Sequence, residues 1–225
     1  MKTIKVWDLF VRLSHWLIVL LVLSAWLSSE FGDAEFKWHS WNGYALFILV
    51  FSRLIWGFVG STTALYRSFI KAPWDALSYL RDLLTGKTTP KEAHYIGHNP
   101  AGGWMALMLW LVLITQAVTG MFASDDVIFD GPFSFYISSK MVNNITSIHH
   151  ALFNLLILLV ILHVLAVLYH QIIKKEKLIQ AMLTGKKTLS HAIAEPKLIF
   201  RPFYLALIIV ASIGATFWFI LKHYG

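Results

Sequence analysis

The chain has 225 residues, of which 57% are hydrophobic and only 14% charged, well below the roughly 25% charged residues of soluble domains. With no cysteine, disulfides, iron–sulfur clusters and thiolate metal sites are excluded. Ten tryptophans and eight tyrosines suit the aromatic belts of a membrane protein, and the net charge of +7 needs an explanation in topology before one in nucleic-acid binding.

In chain order, Lys2, Lys5 and Arg12 precede an apolar run at about 13–29. The charged start has the shape of a signal peptide, yet no small-x-small cleavage site follows and His15 sits inside the run, so it reads as a retained first span. An acidic loop with Glu30, Asp33 and Glu35 leads to a second span at about 39–59, which carries His39 and Arg53. The polar stretch 60–103 holds Pro73 and an amphipathic piece, Trp74–Leu84, suited to the membrane surface. At its end Asn99 is placed to cap a helix that Pro100 starts. A third span at about 104–123 is followed by a loop with Asp125, Asp126, Asp130 and the turn pair Gly131-Pro132. The fourth span, about 146–170, carries His149, His150, His163 and His170, and a basic segment, 174–201, leads to a fifth at about 203–221.

Lysine and arginine set the orientation. All but four of the 19 fall at the N-terminus, in 60–103 or in 174–201; the exceptions are Arg53 within a span and Lys37, Lys140 and Lys222 on the other side. The positive-inside rule places the N-terminus in the cytoplasm, and five spans place the C-terminus in the periplasm. The positive charge is thus a cytoplasmic-face feature, and a nucleic-acid partner is not expected.

Ionisable groups at membrane depth are costly and mark function. His149 and His163 are 14 residues apart, about four turns and roughly 21 Å of helix, and lie within about 40° of one another around the axis. His150 faces nearly the opposite way. Depth pairs His39 with His149 near the outer surface and His15 with His163 toward the inner one. Each pair suits an iron porphyrin held by two neutral imidazoles without covalent attachment, since the chain has no CxxCH. The plainer alternative is that these are interfacial or interhelical hydrogen-bonding histidines. A histidine-dependent proton or metal transporter is another, weakened by the lack of intramembrane carboxylates and by zinc's demand for three or four protein ligands.

Secondary candidates surround this set. Gly43, one turn after His39, and Gly120 would allow close approach of a macrocycle or of another helix. Arg12 and Arg53 are placed to bind a haem propionate or to snorkel to the interface. Asn99 and the amides after it could meet a propionate or a quinone carbonyl, or form only a re-entry turn. His170 reads as interfacial, near the inner haem or a quinone, and His94, His191 and His223 as solvated or interfacial.

Several stretches together resemble the bacterial cytochrome b561 family, related to the cytochrome b subunits of nickel–iron hydrogenases: Arg12-LSHW, the run Gly57–Ser61, the stretch Tyr95–Met105, His149-HALFN with His163-VLAVLYH, and Ala181-MLTGKK. The resemblance covers about 5–187. It implies an all-α integral membrane protein, a four-helix transmembrane di-haem bundle in 1–187, to which 188–225 adds a linker and a fifth, C-terminal transmembrane helix. It further implies two haem b with His15, His39, His149 and His163 as iron ligands, residence in the bacterial inner membrane, and electron transfer between the quinone pool (ubiquinone or menaquinone) and a periplasmic redox partner such as a c-type cytochrome. His150 stands where the family's pattern suggests an acidic or other polar residue. Some relatives are superoxide–quinone oxidoreductases, an alternative that the acidic outer loops disfavour.

Overall fold

The computed structural model describes residues 2–30, 36–86, 95–124, 129–189 and 197–225. Asp33, Glu35, Lys87, Lys91, His94, Asp125, Asp126 and His191, named above, lie outside the described residues.

Among the described residues five helices are long and apolar enough to cross a membrane: α1 (Leu9–Glu30), α2 (Phe36–Val59), α5 (Pro100–Gly120), α6 (Ser139–Ile172) and α8 (Phe203–Tyr224). At 1.5 Å per residue each spans about 30 Å or more, the thickness of the hydrocarbon core. The described residues also form three short helices: α3 (Tyr66–Phe69), α4 (Pro73–Leu84) and α7 (Leu178–Thr184). Local chemistry sets their ends. Asp8 Oδ1 accepts from the Val11 amide at 2.7 Å and starts α1, and Asn99 Oδ1 accepts from the Gly102 amide at 2.7 Å and starts α5 with Pro100 in its first position. As a result α5 begins at Pro100 and not at 104. Polar residues also extend α6 back to Ser139 from the expected 146, because Ser139–Ile145 is helical without being apolar, and hydropathy is blind to such a turn. In the apolar helices Ser52, Thr115 and Thr119 each return their hydroxyl to the carbonyl four residues earlier, the cheapest partner in a lipid environment.

Contacts divide the chain into two compact units, 1–13 with 55–108 and 160–206, and 14–54 with 109–159 and 207–225. In the first, two strands absent from the sequence-based reading pair antiparallel, β1 (Lys2–Lys5) with β2 (Lys186–Leu189). Gly185 closes α7 at φ +79°, and its carbonyl accepts the Val6 and Trp7 amides. A side chain there would press on the Trp7 carbonyl at 2.8 Å, so glycine is required twice over. The Gly57–Ser61 run has a comparable purpose: a Cβ at Gly57 would collide with the Tyr66 ring. Within this unit α4 buries Ala76 and Tyr79 and exposes Trp74, Leu77 and Leu84, the division expected of a helix lying at the bilayer surface. In the second unit Val50, Leu113 and Leu156, from α2, α5 and α6, form the buried centre, with Ile18 and Val22 of α1 against it. Here α8 packs on α2 through aromatic rings, Trp41 with Trp218 and Tyr44 and Phe47 with Phe217, at centroid distances of 5.0 to 6.3 Å.

Candidate functional site

In the second unit α2 and α6 bring His39 and His149 together, with ring centres 6.3 Å apart and planes at 77°. Two imidazoles that share one metal, each about 2.0 Å from it through a ring nitrogen, have centres about 6 Å apart. Each ring is oriented by other elements. His39 Nδ1–H donates to the Ala25 carbonyl of α1 at 2.8 Å. His149 Nδ1–H donates to the Gln116 carbonyl of α5 at 3.0 Å, with the Thr119 hydroxyl at 3.1 Å. A proton on Nδ1 leaves Nε2 as the lone-pair nitrogen of each ring, the tautomer a metal ligand needs. Gln116 Nε2–H donates to His149 Nε2 at 3.2 Å, while Gln116 Oε1 is buried with no protein partner.

Two glycines flank the pair in different ways. A Cβ at Gly120 would sit 3.0 Å from His149 Cε1, so the absence of a side chain lets α5 receive the ring edge-on. Nothing lies within 4 Å of a Cβ built at Gly43, one turn past His39. Arg53 is buried at 7% exposure, with its guanidinium 5.1 Å above the Trp110 ring, where stacking on an aromatic face lowers the cost of holding a cation at membrane depth. His150 is exposed.

The residues fit a haem. Among the described residues no group of three or more His, Cys, Asp or Glu converges, as a protein-built metal centre would require. Two oriented imidazoles are what a macrocycle needs when it supplies four ring nitrogens itself.

The first unit places other candidates. The Arg12 guanidinium donates to the Leu183 carbonyl, at the last turn of α7, which ties α1 to that helix. Asn99, beyond its capping role, donates through Nδ2 to the Tyr79 hydroxyl at 3.1 Å, and that hydroxyl lies 3.3 Å from Nε2 of buried His170. His170 Nδ1 faces Glu176 at 3.4 Å, and Lys187 Nζ reaches Glu176 at 3.2 Å and the Tyr95 carbonyl at 3.3 Å. Burial alone would raise the Glu176 carboxyl; the His170 hydrogen bond and the Lys187 charge outweigh it and hold the group below its ordinary value. Of the other two histidines, His15 lies on α1 in the second unit and His163 on α6 in the first, both half-buried.

Sequence reasoning passed over Gln116, Thr119 and His98. The first two were detectable: a glutamine inside an apolar span is costly unless it has a partner, and it stands four residues before Gly120. His98 lies between the Trp7 and Phe69 rings, at 5.0 and 5.3 Å, and nothing in its spacing signals that.

Five apolar helices define a multi-pass membrane protein, and the histidine pair with oriented Nδ1–H groups fits a metalloporphyrin. The family model for prokaryotic cytochrome b561 matches residues 6–185, and the chain belongs to that family. It is accordingly a membrane b-type cytochrome, a haem b protein of electron transfer. No curated protein and no solved structure matches it.

Proposed function

We propose that the chain holds two haem b groups and passes electrons across the bacterial inner membrane, between the quinone pool (ubiquinone or menaquinone) and a periplasmic redox partner such as a c-type cytochrome. The observation that carries this reading is the His39–His149 pair, 6.3 Å between centres with both Nδ1 atoms facing carbonyls of neighbouring helices. These two residues would hold one haem, and His15 and His163 the second; the second assignment rests on sequence position and family membership. When bound, haem would supply one-electron iron chemistry, with a potential tuned by its ligands, by the hydrogen bonds those ligands make and by burial.

The chain's own residues do the rest. Ala25 and Gln116 carbonyls fix ring orientation and raise imidazole basicity. The Gln116 amide, which donates to His149 Nε2 here, would give up that contact where Nε2 holds the group. The Arg53 cation favours added negative charge nearby, whether an electron or a propionate. The lysine and arginine distribution supports a cytoplasmic N-terminus and a periplasmic C-terminus. On that orientation Glu30, Asp33, Glu35, Asp125, Asp126 and Asp130 face the periplasm, where they favour a cationic protein partner. Anaerobic mixing tests the reading. Ubiquinol or menaquinol reduces the purified cytochrome, and a cationic c-type cytochrome reoxidises it faster at low salt than at high. A cytochrome that neither quinol reduces, or one that gives c-type cytochrome no electrons, contradicts it.

A further inference from the structure

The family match ends at residue 185, and the chain beyond it builds something in the first unit. Residues 199–201 are fastened to the turn after α2: the Thr62 amide donates to the Ile199 carbonyl at 2.9 Å, the Ile199 amide to Thr62 Oγ1 at 2.9 Å, and the Arg201 amide to buried Ser61 Oγ at 3.1 Å. With the chain held there, a pocket of about 310 Å³ opens between the starts of α1 and α8. Phe10, Trp56, Phe200 and Phe203 supply aromatic walls, and exposed Lys5 and Arg201 stand at it, Lys5 Nζ lying 4.4 Å over the Phe200 ring. The volume is at the lower end of small-ligand pockets, about 300–1,000 Å³.

Charge and position select the ligand. Asp8 also lines the pocket, but its two oxygens already accept from the Val11 amide and from Trp56 Nε1 at 3.0 Å, and it is 3% exposed. The open side of the pocket is therefore cationic, and the positive end of α8, a 22-residue helix, adds to it. Two membrane-spanning helices begin at the pocket, so it lies at the depth of lipid head groups, with aromatic surface for the glycerol and upper acyl chain. We propose that this pocket is a binding site for the phosphodiester of an anionic phospholipid such as phosphatidylglycerol, built by the C-terminal extension onto the cytochrome core. Lys5 and Arg201 bind the phosphate oxygens, and the fifth helix is the structural reason the site exists.

Native mass spectrometry of the detergent-purified cytochrome tests this, with phosphatidylglycerol and phosphatidylcholine of matched acyl chains as probes. Wild type retains phosphatidylglycerol in preference. Each charge removed, Lys5→Gln or Arg201→Gln, weakens that retention about fivefold, equal to about 1 kcal/mol, and the double variant retains the two lipids equally with its haem spectrum intact. Lys140→Gln with Lys222→Gln, the same charge change elsewhere, leaves the preference as it was. Unchanged preference in both single variants overturns the assignment, as does an equal loss in the Lys140/Lys222 control. If inorganic phosphate alone, at millimolar concentration, displaces the lipid from wild type, the ligand is a free anion and the lipid assignment fails. The single variants, at exposed positions, decide the matter should the double variant not assemble.

Discussion

The two units spend their polar groups differently. In the unit of His39 and His149, the centre is Val50, Leu113 and Leu156, and the polar side chains beside it, Gln116 and Thr119, are aimed at an imidazole. In the other unit polar groups hold polypeptide to polypeptide: Arg12 to Leu183, Thr63 Oγ1 to the Val6 carbonyl at 2.5 Å, Lys187 to Tyr95, and a ribbon of β1 with β2. In the first set of contacts the partner is an imidazole; in the second it is the polypeptide. Substitutions should divide on that line, one set changing cofactor content and the other stability.

The largest effect falls on the ligands. His39→Ala and His149→Ala each remove the same low-spin spectral component, and each halves extractable haem, while His150→Ala leaves both components in place. Loss of a component in His150→Ala with retention in His149→Ala would reverse the face assignment. Next is Gly120→Val. The added branch meets His149 Cε1, which a Cβ alone approaches at 3.0 Å, and overpacking of this kind costs about 1–3 kcal/mol. Haem occupancy at His149 falls in that variant, read from the same spectral component, whereas the Cβ of Gly43→Ala has no protein atom within 4 Å, so haem loss there reports the macrocycle itself.

In the other unit the signs separate. Gly185→Ala puts an L-residue at φ +79° against the Trp7 carbonyl, and the left-handed conformation alone costs about 1–2 kcal/mol. The thermal midpoint drops while haem per protein stays at the wild-type value; lost haem with an unchanged midpoint would erase the distinction between the units. The smallest effect is at Glu176. Its carboxyl is held below the ordinary range, so it contributes stability above the unfolded value of about 4.3, and that contribution is lost as pH falls through the folded value. As pH falls below that unfolded value, the midpoint of wild type therefore falls more steeply than that of Glu176→Gln. Parallel curves would show that His170 and Lys187 give the carboxylate nothing.

Much of this was legible before any coordinates. The spans are long apolar runs, and histidines inside them stand out because lipid penalises them. Asn99 before Pro100 announced the start of α5 through the chemistry of the cap. Partners were harder to see. Arg12 has its guanidinium on Leu183, 171 residues away, and no local pattern encodes such a contact. The ribbon pairs Lys2–Lys5 with Lys186–Leu189, each too short for a period-2 pattern to register. The first turns of α6 are polar and carry no hydropathy signal, and Gln116 is a lone amide whose partner, His149, is 33 residues away.

The central claim is two haems held by two histidine pairs, with no covalent attachment. Acid–acetone extraction of the purified cytochrome followed by pyridine haemochrome quantification measures it directly. The account predicts about two b haems per chain in the extract and a colourless protein pellet. One haem per chain, or a pellet that keeps its colour, contradicts it.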